Sequence, residues 1–471
     1  MPGIPAVIPS IVSPLNLPHG FDLLDLHIRA PERYPFLLES VAGGTAQGRF
    51  DILFACPGET LRLADDWQLS GPHASHGGGF LSALDAWWLK EQRGQNRSGT
   101  SKEGDVPSRL PFCGGWFVYL GYELVRETEA TVQPDALPGF PVALAVRIPV
   151  ALVRDLHDGQ LWLIHEPGYA EAAAEVLADV AAVLREPHPL PVPAEALATG
   201  IREPEAREFL DAVAAVQQLI AAGDVFQVNL ARRWTGELQA GVQAWQIYRR
   251  LREVNPAPFS GLAIFDDGAI ISSSPERLVR VRDGRVETRP IAGTRPRAGV
   301  AELDDERRQA LLSNAKERAE HVMLIDLERN DLGRVCVAGT IVVNELMTVE
   351  SYAHVHHIVS NISCELRAGV TPGMLIRAVF PGGTITGCPK VRCMEIIRDL
   401  EAQPRGPYTG SMGYLNRDGS CDFNILIRTI QTRGAEYAFY AGSGIVADSI
   451  AERELEETRA KAKGLLVAMQ R

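Results

Sequence analysis

What most constrains the fold of this chain is the rhythm of its short apolar runs. FDILFA (50–55), 116–120, 142–148 and 160–164 in the first half read as strands. So do 225–230, 262–265, 269–273 and 278–282 in the second. Helical periodicity intervenes irregularly. In 205–222, Phe209, Val213, Val216 and Ile220 share one face, and Gly223 stops the helix. A long charged helix is predicted over 301–327, another over 390–400 and a last one over 451–469. Strand runs mixed with long helices, with no regular strand–helix–strand beat, exclude a doubly wound parallel sheet and predict an α+β fold. Residues 1–187 form one region and 205–471 a second. The proline-rich segment 188–204 reads as a linker. Residues 71–79 (GPHASHGGG) and the polar stretch 93–108 read as loops.

Charge narrows the function. The 471 residues carry 47 basic and 59 acidic side chains, a net charge of −12. That excludes a general nucleic-acid binder, which needs a basic surface to displace counterions. The seven cysteines are odd in number and contain no CxxC pair. No disulfide framework or zinc site is expected, and a reducing cytoplasm fits. The N-terminal twenty residues lack the basic start of a signal peptide. The most apolar stretch, 140–153, is broken by Pro141, Arg147 and Pro149. It is too short to span a bilayer, so no membrane association is expected.

Four glutamates are placed for chemistry. Glu317 and Glu320 lie three apart on one predicted helix, and Glu454 and Glu457 repeat that spacing on the last, with Lys461 one turn further on. Two such pairs could converge on a hard cation such as Mg²⁺; taken alone, the same spacing describes two solvated helix faces. The loop Gly382–Lys390 (GGTITGCPK) fails as a phosphate loop of the Walker type, because Cys388 and Pro389 separate its last glycine from the lysine. Free N–H groups at the start of the following helix suit a carboxylate. AGSGIVA (441–447) lets the backbone approach a ligand at Gly442 and Gly444. Arg428 interrupts the apolar run FNILIRTI (423–430), predicted as one strand, and needs an anionic partner. Glu276 follows a strand end in SSSPER, where a general acid could sit, and His356 and His357 lie in YAHVHHIVS.

Together, SSSPERL, RPIAGTRPR, AEHVMLIDLERNDLGRV, VESYAHVHHIVS, PGGTITGCPKVRCMEII, GSMGYL and AGSGIVADS resemble, in order and spacing, the chorismate-utilising enzymes. These include anthranilate, aminodeoxychorismate, isochorismate and salicylate synthases. FLLES (36–40) and LPFCGGWFVYLGYEL (110–124) resemble the first region of the two amino-transferring members. The resemblance implies an α+β fold like that of anthranilate synthase component I. Two large sheets pack as a sandwich with helices outside, and the first region adds strands to the same body. It implies Mg²⁺ held by Glu317, Glu320, Glu454 and Glu457. Lys461, Thr384, Gly293 and the backbone at Gly442 would hold the ring carboxylate. Tyr408, Arg428 and the backbone at Gly444 would hold the enolpyruvyl carboxylate. Glu276 would protonate the departing C4 hydroxyl, with His357 and Thr294 close by. Leu38, Glu39 and Ser40 match the tryptophan-pocket motif.

Gln227, in FQVNLARR, stands where the water-using members carry a lysine base. A carboxamide cannot take a proton from water, which points to ammonia as nucleophile. A separate glutamine amidotransferase subunit would deliver it, since nothing in the chain resembles a glutamine-hydrolysing domain. PIAGT (290–294) has Ala292 where aminodeoxychorismate synthases often have a lysine, and so resembles anthranilate synthase. APFS (257–260), VHHIVS, PGGTITG and DILFA resemble aminodeoxychorismate synthase instead. The reading is therefore component I of aminodeoxychorismate synthase, making 4-amino-4-deoxychorismate for 4-aminobenzoate and folate. Anthranilate synthase component I is the alternative. From another class, an inactive amino-acid-binding regulatory homologue is weighed, against which stands the full set of site residues.

Overall fold

The computed structural model describes residues 10–18, 20–42, 48–95, 110–186, 196–266, 268–297, 301–351 and 355–470. Its apolar runs become two antiparallel sheets, of twelve and eleven strands among the described residues. In the first sheet, Ile11–Leu15, Leu161–His165, Val150–Asp155, Phe50–Ala55 and Phe36–Glu39 lie side by side. Phe259–Phe265, Gly268–Ser274, Thr429–Arg433, Glu436–Ile445, Gln227–Leu238 and Ala198–Arg202 continue it. The second sheet runs from Ile291–Pro296 through Val355–Glu365, Arg285–Arg289, Arg277–Arg282 and Cys421–Asn424 to Ser411–Asn416. It then passes into Gly115–Leu120, Ala143–Ile148, Thr60–Leu63 and Leu69–Ser70.

Both sheets are thus continuous across the two sequence regions. Leu38 pairs with Gly261 in the first, and Tyr119 with Met412 in the second. This is the two-sheet α+β architecture that the resemblance implies, with the first region built into it.

Alternation explains how one strand serves two cores. Along Gly115–Leu120, Phe117 and Tyr119 join an aromatic cluster with Phe36, Phe54, Phe112, Phe140 and Phe265. Trp116, Val118 and Leu120 join a second cluster with Trp87, Ile325 and Phe380, supplied by the helices Gly79–Gln95 and Ala315–Gly333 and the end of Pro372–Val379. Phe36 stacks on Phe117 with ring centroids 4.0 Å apart. Each such buried ring contributes about 2–3 kcal/mol from area alone. A third cluster packs Leu24, Val176, Leu251 and Leu465 of four further helices onto the first sheet.

Several expectations are corrected. The long charged helix is two helices, Ala301–Ser313 and Ala315–Gly333. Asn314 breaks it: its side chain accepts the Glu317 N–H at 3.2 Å, as a cap does. FNILIRTI is not one strand. Cys421–Asn424 ends in the second sheet, Thr429–Arg433 begins in the first, and the chain crosses between them with Arg428 at φ 51°. Within the segment read as a linker, Ala198–Arg202 pairs with Gln227–Leu238, and 188–195 lie outside the described residues. Residues 96–108 of the expected polar loop lie outside them too, while 93–95 finish a helix. Cys336 and Cys364 form a disulfide, a pairing that their separation of 28 residues did not reveal. Antiparallel pairing of Cys336 with Leu366 aligns the two segments. Among the described residues, no helix is long and apolar enough to cross a membrane.

Candidate active site

The site forms where the chain passes twice between the sheets. Gly268–Ser274 ends in the first sheet and Arg277–Arg282 begins in the second, leaving Glu276 on the crossing. The return crossing carries Arg428. The two are tied together: Ile425 N–H donates to Glu276 O at 3.0 Å, and Ser273 N–H to Arg428 O at 3.1 Å. Glu276 is 4% exposed. Burial pushes its carboxyl up to about 7, and the nearby Glu328 carboxylate adds to that. The Thr384 hydroxyl, the Ile291 N–H at 3.5 Å and the Lys461 ammonium pull the other way. A carboxyl in this balance is half protonated near neutrality, as a general acid requires.

His357 lies on the adjoining strand, opposite Thr294 in the register, with Nδ1 3.4 Å from Gly293 O. Burial, with the Arg428 and Lys461 cations behind it, holds the imidazole down at about 3. It is therefore neutral at physiological pH and serves as a hydrogen-bonding group rather than an acid. Gly293 has φ 63°, and a Cβ there would sit 2.3 Å from Glu317 Oε2. Only glycine lets that carboxylate close onto the strand.

The opposite wall is built on Gln227–Leu238 and Glu436–Ile445, paired so that Asn229 faces Gly444 and Ala231 faces Gly442. A Cβ on Gly444 would meet Gln227 Nε2 at 2.2 Å. One on Gly442 would meet the Tyr408 hydroxyl at 2.6 Å and Asn229 Oδ1 at 2.9 Å. Lys461 Nζ donates to Gly442 O at 2.9 Å and pairs with Glu457 at 2.8 Å. Glu454 accepts from Ser443 Oγ. Asn229 Nδ2 donates to Thr384 O at 3.1 Å, joining this wall to the 383–385 turn.

These contacts bring Gln227, Glu276, Gly293, Glu317, His357, Thr384, Tyr408, Arg428, Gly442, Gly444 and Lys461 into one region. The Thr294 side chain lies outside the described residues; its backbone is in place. Glu320 lies one helical turn after Glu317. Among the described residues, no three His, Cys, Asp or Glu side chains form a metal-holding group, so the four glutamates are not a preformed cage. Their chemistry still fits Mg²⁺, a hard cation that often takes one or two protein carboxylates and fills its shell with water and substrate oxygens.

Leu38, Glu39 and Ser40 lie elsewhere. They line a separate cavity of about 430 Å³ with Pro258, Phe259 and Tyr414. The Glu39 carboxylate is engaged by the Tyr248 hydroxyl at 2.6 Å and by Arg252.

Sequence reasoning missed Asn229, Arg405 and Glu401. Arg405 is 2% exposed and pairs with Glu401 through both Nε and Nη2. It also donates to Asn229 O at 2.8 Å and Ile385 O at 3.3 Å. An arginine in PRGPY, between a helix and a strand, gave only a weak signal.

A family model described as chorismate binding enzyme matches residues 68–467. The chain belongs to the chorismate-binding enzymes. It is 44% identical to aminodeoxychorismate synthase component 1 of Bacillus subtilis, covering 76% of this chain and 77% of that one. It is 38% identical to anthranilate synthase component 1 of Synechocystis sp., over 93% and 91% of the two chains. The crystal structure of anthranilate synthase component I from Streptococcus pneumoniae superposes with a TM-score of 0.73, at 31% identity over 90% and 93%. Relatives of this chorismate-binding enzyme therefore carry both names.

Proposed function

We propose that the chain aminates chorismate with ammonia to give 4-amino-4-deoxychorismate. One observation carries the choice of nucleophile. Gln227 packs its amide against Gly444, and its Oε1 is buried with no hydrogen-bond partner among the described residues. That is an acceptor without basicity, suited to orienting an amine and unable to deprotonate water. It supports the amino-transferring members over those that add water.

In this reading Arg428 and Tyr408 hold the enolpyruvyl carboxylate, while Lys461, Thr384 and the backbone at Gly293 and Gly442 hold the ring carboxylate. Glu317, Glu320, Glu454 and Glu457 would supply the carboxylates for Mg²⁺, which when bound neutralises the ring carboxylate. Glu276 gives its proton to the C4 hydroxyl, which leaves as water as the C–O bond breaks. Neutral His357 holds that end of the ring. Ala292 offers no amine to attack C2, so ammonia enters C4 directly. APFS (257–260), beside the second cavity, and VHHIVS support this member. PIAGT favours the other reading, in which ammonia stays at C2 and pyruvate leaves to give anthranilate.

The ammonia would come from a separate glutamine amidotransferase subunit. The test of the nucleophile is chorismate consumption by the purified chain with Mg²⁺, with and without ammonium. Consumption requires ammonium and ignores glutamine. Equal consumption without ammonium, yielding isochorismate, contradicts the proposal.

A further inference from the structure

A second buried carboxyl stands behind the acid, and the mechanism above leaves it unused. Glu328, 4% exposed on the helix Ala315–Gly333, accepts from the Thr288 hydroxyl at 2.9 Å and from the Gly383 N–H. Neither partner is incidental. Thr288 lies three residues before Ile291, whose N–H donates to Glu276. Gly383 immediately precedes Thr384, whose hydroxyl faces Glu276. A Cβ on Gly383 would come 2.4 Å from Leu327 Cδ2, so only glycine lets the helix press this closely onto the turn. Glu328 therefore grips both backbone segments that touch the acid, and its charge is felt there.

We propose that Glu328 is a positioning residue for Glu276: it fixes the two segments that line the acid, one of which hydrogen-bonds it through the Ile291 N–H, and its carboxylate disfavours a second negative charge beside it. This rests on Glu276 being the acid of the amination. The charged surroundings are defined. On its own helix Glu328 faces Asp331; from the helix Lys390–Leu400 it faces Lys390, whose Nζ donates to Asp331 and to Pro381 O. Arg334 and Glu129 act on Asp331. From the last helix Lys461 faces Glu276. Lys390, paired with Asp331, also acts on Glu328, and Glu328 is the carboxyl whose charge reaches the acid. Both carboxyls are pushed up to about 7, chiefly by burial.

The test is the pH dependence of kcat/KM for the full chain with chorismate, Mg²⁺ and the same concentration of free ammonia at every pH, comparing Glu328→Gln, Glu328→Asp and Glu276→Gln. Glutamine keeps an acceptor and removes the charge. Relieved of its neighbour, Glu276 loses its proton about one pH unit earlier. Glu328→Gln then matches the parent below about pH 5 and is about tenfold slower at pH 8. Glu328→Asp, which keeps the charge, retains the parent's alkaline limb even where its rate is lower. A uniformly slower Glu328→Gln with an unmoved limb overturns the proposal, and so does an Asp variant whose limb shifts as the Gln variant's does. Should Glu328→Gln fail to fold, the Asp limb alone decides. Glu276→Gln separates the two failures: turnover that survives in it sinks the acid assignment itself.

Discussion

Arg405 offers the sharpest test of how the substrate-facing wall is held. Its guanidinium makes two bonds to Glu401, at 2.8 and 2.6 Å, and reaches Asn229 O, Ile385 O and Thr409 Oγ1. It also lies over the rings of Tyr122 and Tyr408, at 4.9 and 5.4 Å. The side chains of Arg405 and Glu401 are 2% and 10% exposed, so solvent screens the pair little. Among the described residues, Arg405→Met leaves Glu401 buried with only the Ala231 N–H. Breaking a buried pair by removing one partner costs about 3–5 kcal/mol. Three further acceptors lose a donor as well, so the upper end of that range is expected. Urea unfolding measures it. The Glu401→Met partner variant closes a double-mutant cycle, and the double variant should be more stable than the sum of the single losses predicts by about 2 kcal/mol. Tyr408 and Asn229 lose their anchor too, so kcat/KM for chorismate should fall about 100-fold. A loss below about 1 kcal/mol with KM unchanged would refute the reasoning.

Other perturbations read the site from different sides. Gly444→Ala places a methyl on the Gln227 amide, so ammonium-dependent turnover should fall at least tenfold while the far-ultraviolet circular dichroism stays unchanged. Glu320→Gln and Glu457→Gln should each raise the Mg²⁺ concentration needed for half-maximal rate; turnover that survives chelation in the parent chain counts against the metal assignment. In the proposed reading the protonated form of Glu276 is the active one, so at a fixed concentration of free ammonia kcat/KM should be flat below about pH 6 and fall about tenfold per unit above a Glu276 pKa of about 7. Glu123, 2% exposed and accepting the Gly406 N–H, is held up at about 7 by burial. Its folded-state pKa exceeds the unfolded value, so its contribution is full at acid pH and is lost as pH rises toward 7. Glu123→Gln should flatten that part of the stability profile in pH-dependent unfolding; an unchanged slope contradicts the assignment.

Elements defined by local pattern were legible in the sequence. Phe50–Ala55 and Lys390–Leu400 fall where alternation, apolar runs and Pro389 put them. Crossings between sheets were not, because FNILIRTI is apolar throughout and nothing local marks where it leaves one sheet for the other. The break at Asn314 was missed because charged residues run on through both helices. In the site, residues that touch substrate in the proposed reading carry motif signals, as Glu276 and Lys461 do. Residues that hold those residues, such as Asn229, Arg405 and Glu328, act through tertiary contacts over 20 to 176 positions, out of reach of any spacing argument.

The central claim concerns where nitrogen ends on the ring. The direct measurement is product analysis after complete conversion of chorismate by the pure chain with ammonium and Mg²⁺. Liquid chromatography with mass detection identifies the ring product, and a coupled assay measures pyruvate. The account predicts 4-amino-4-deoxychorismate, convertible to 4-aminobenzoate by an added lyase, with little pyruvate. Fluorescent anthranilate with stoichiometric pyruvate would contradict it and make this chain an anthranilate synthase.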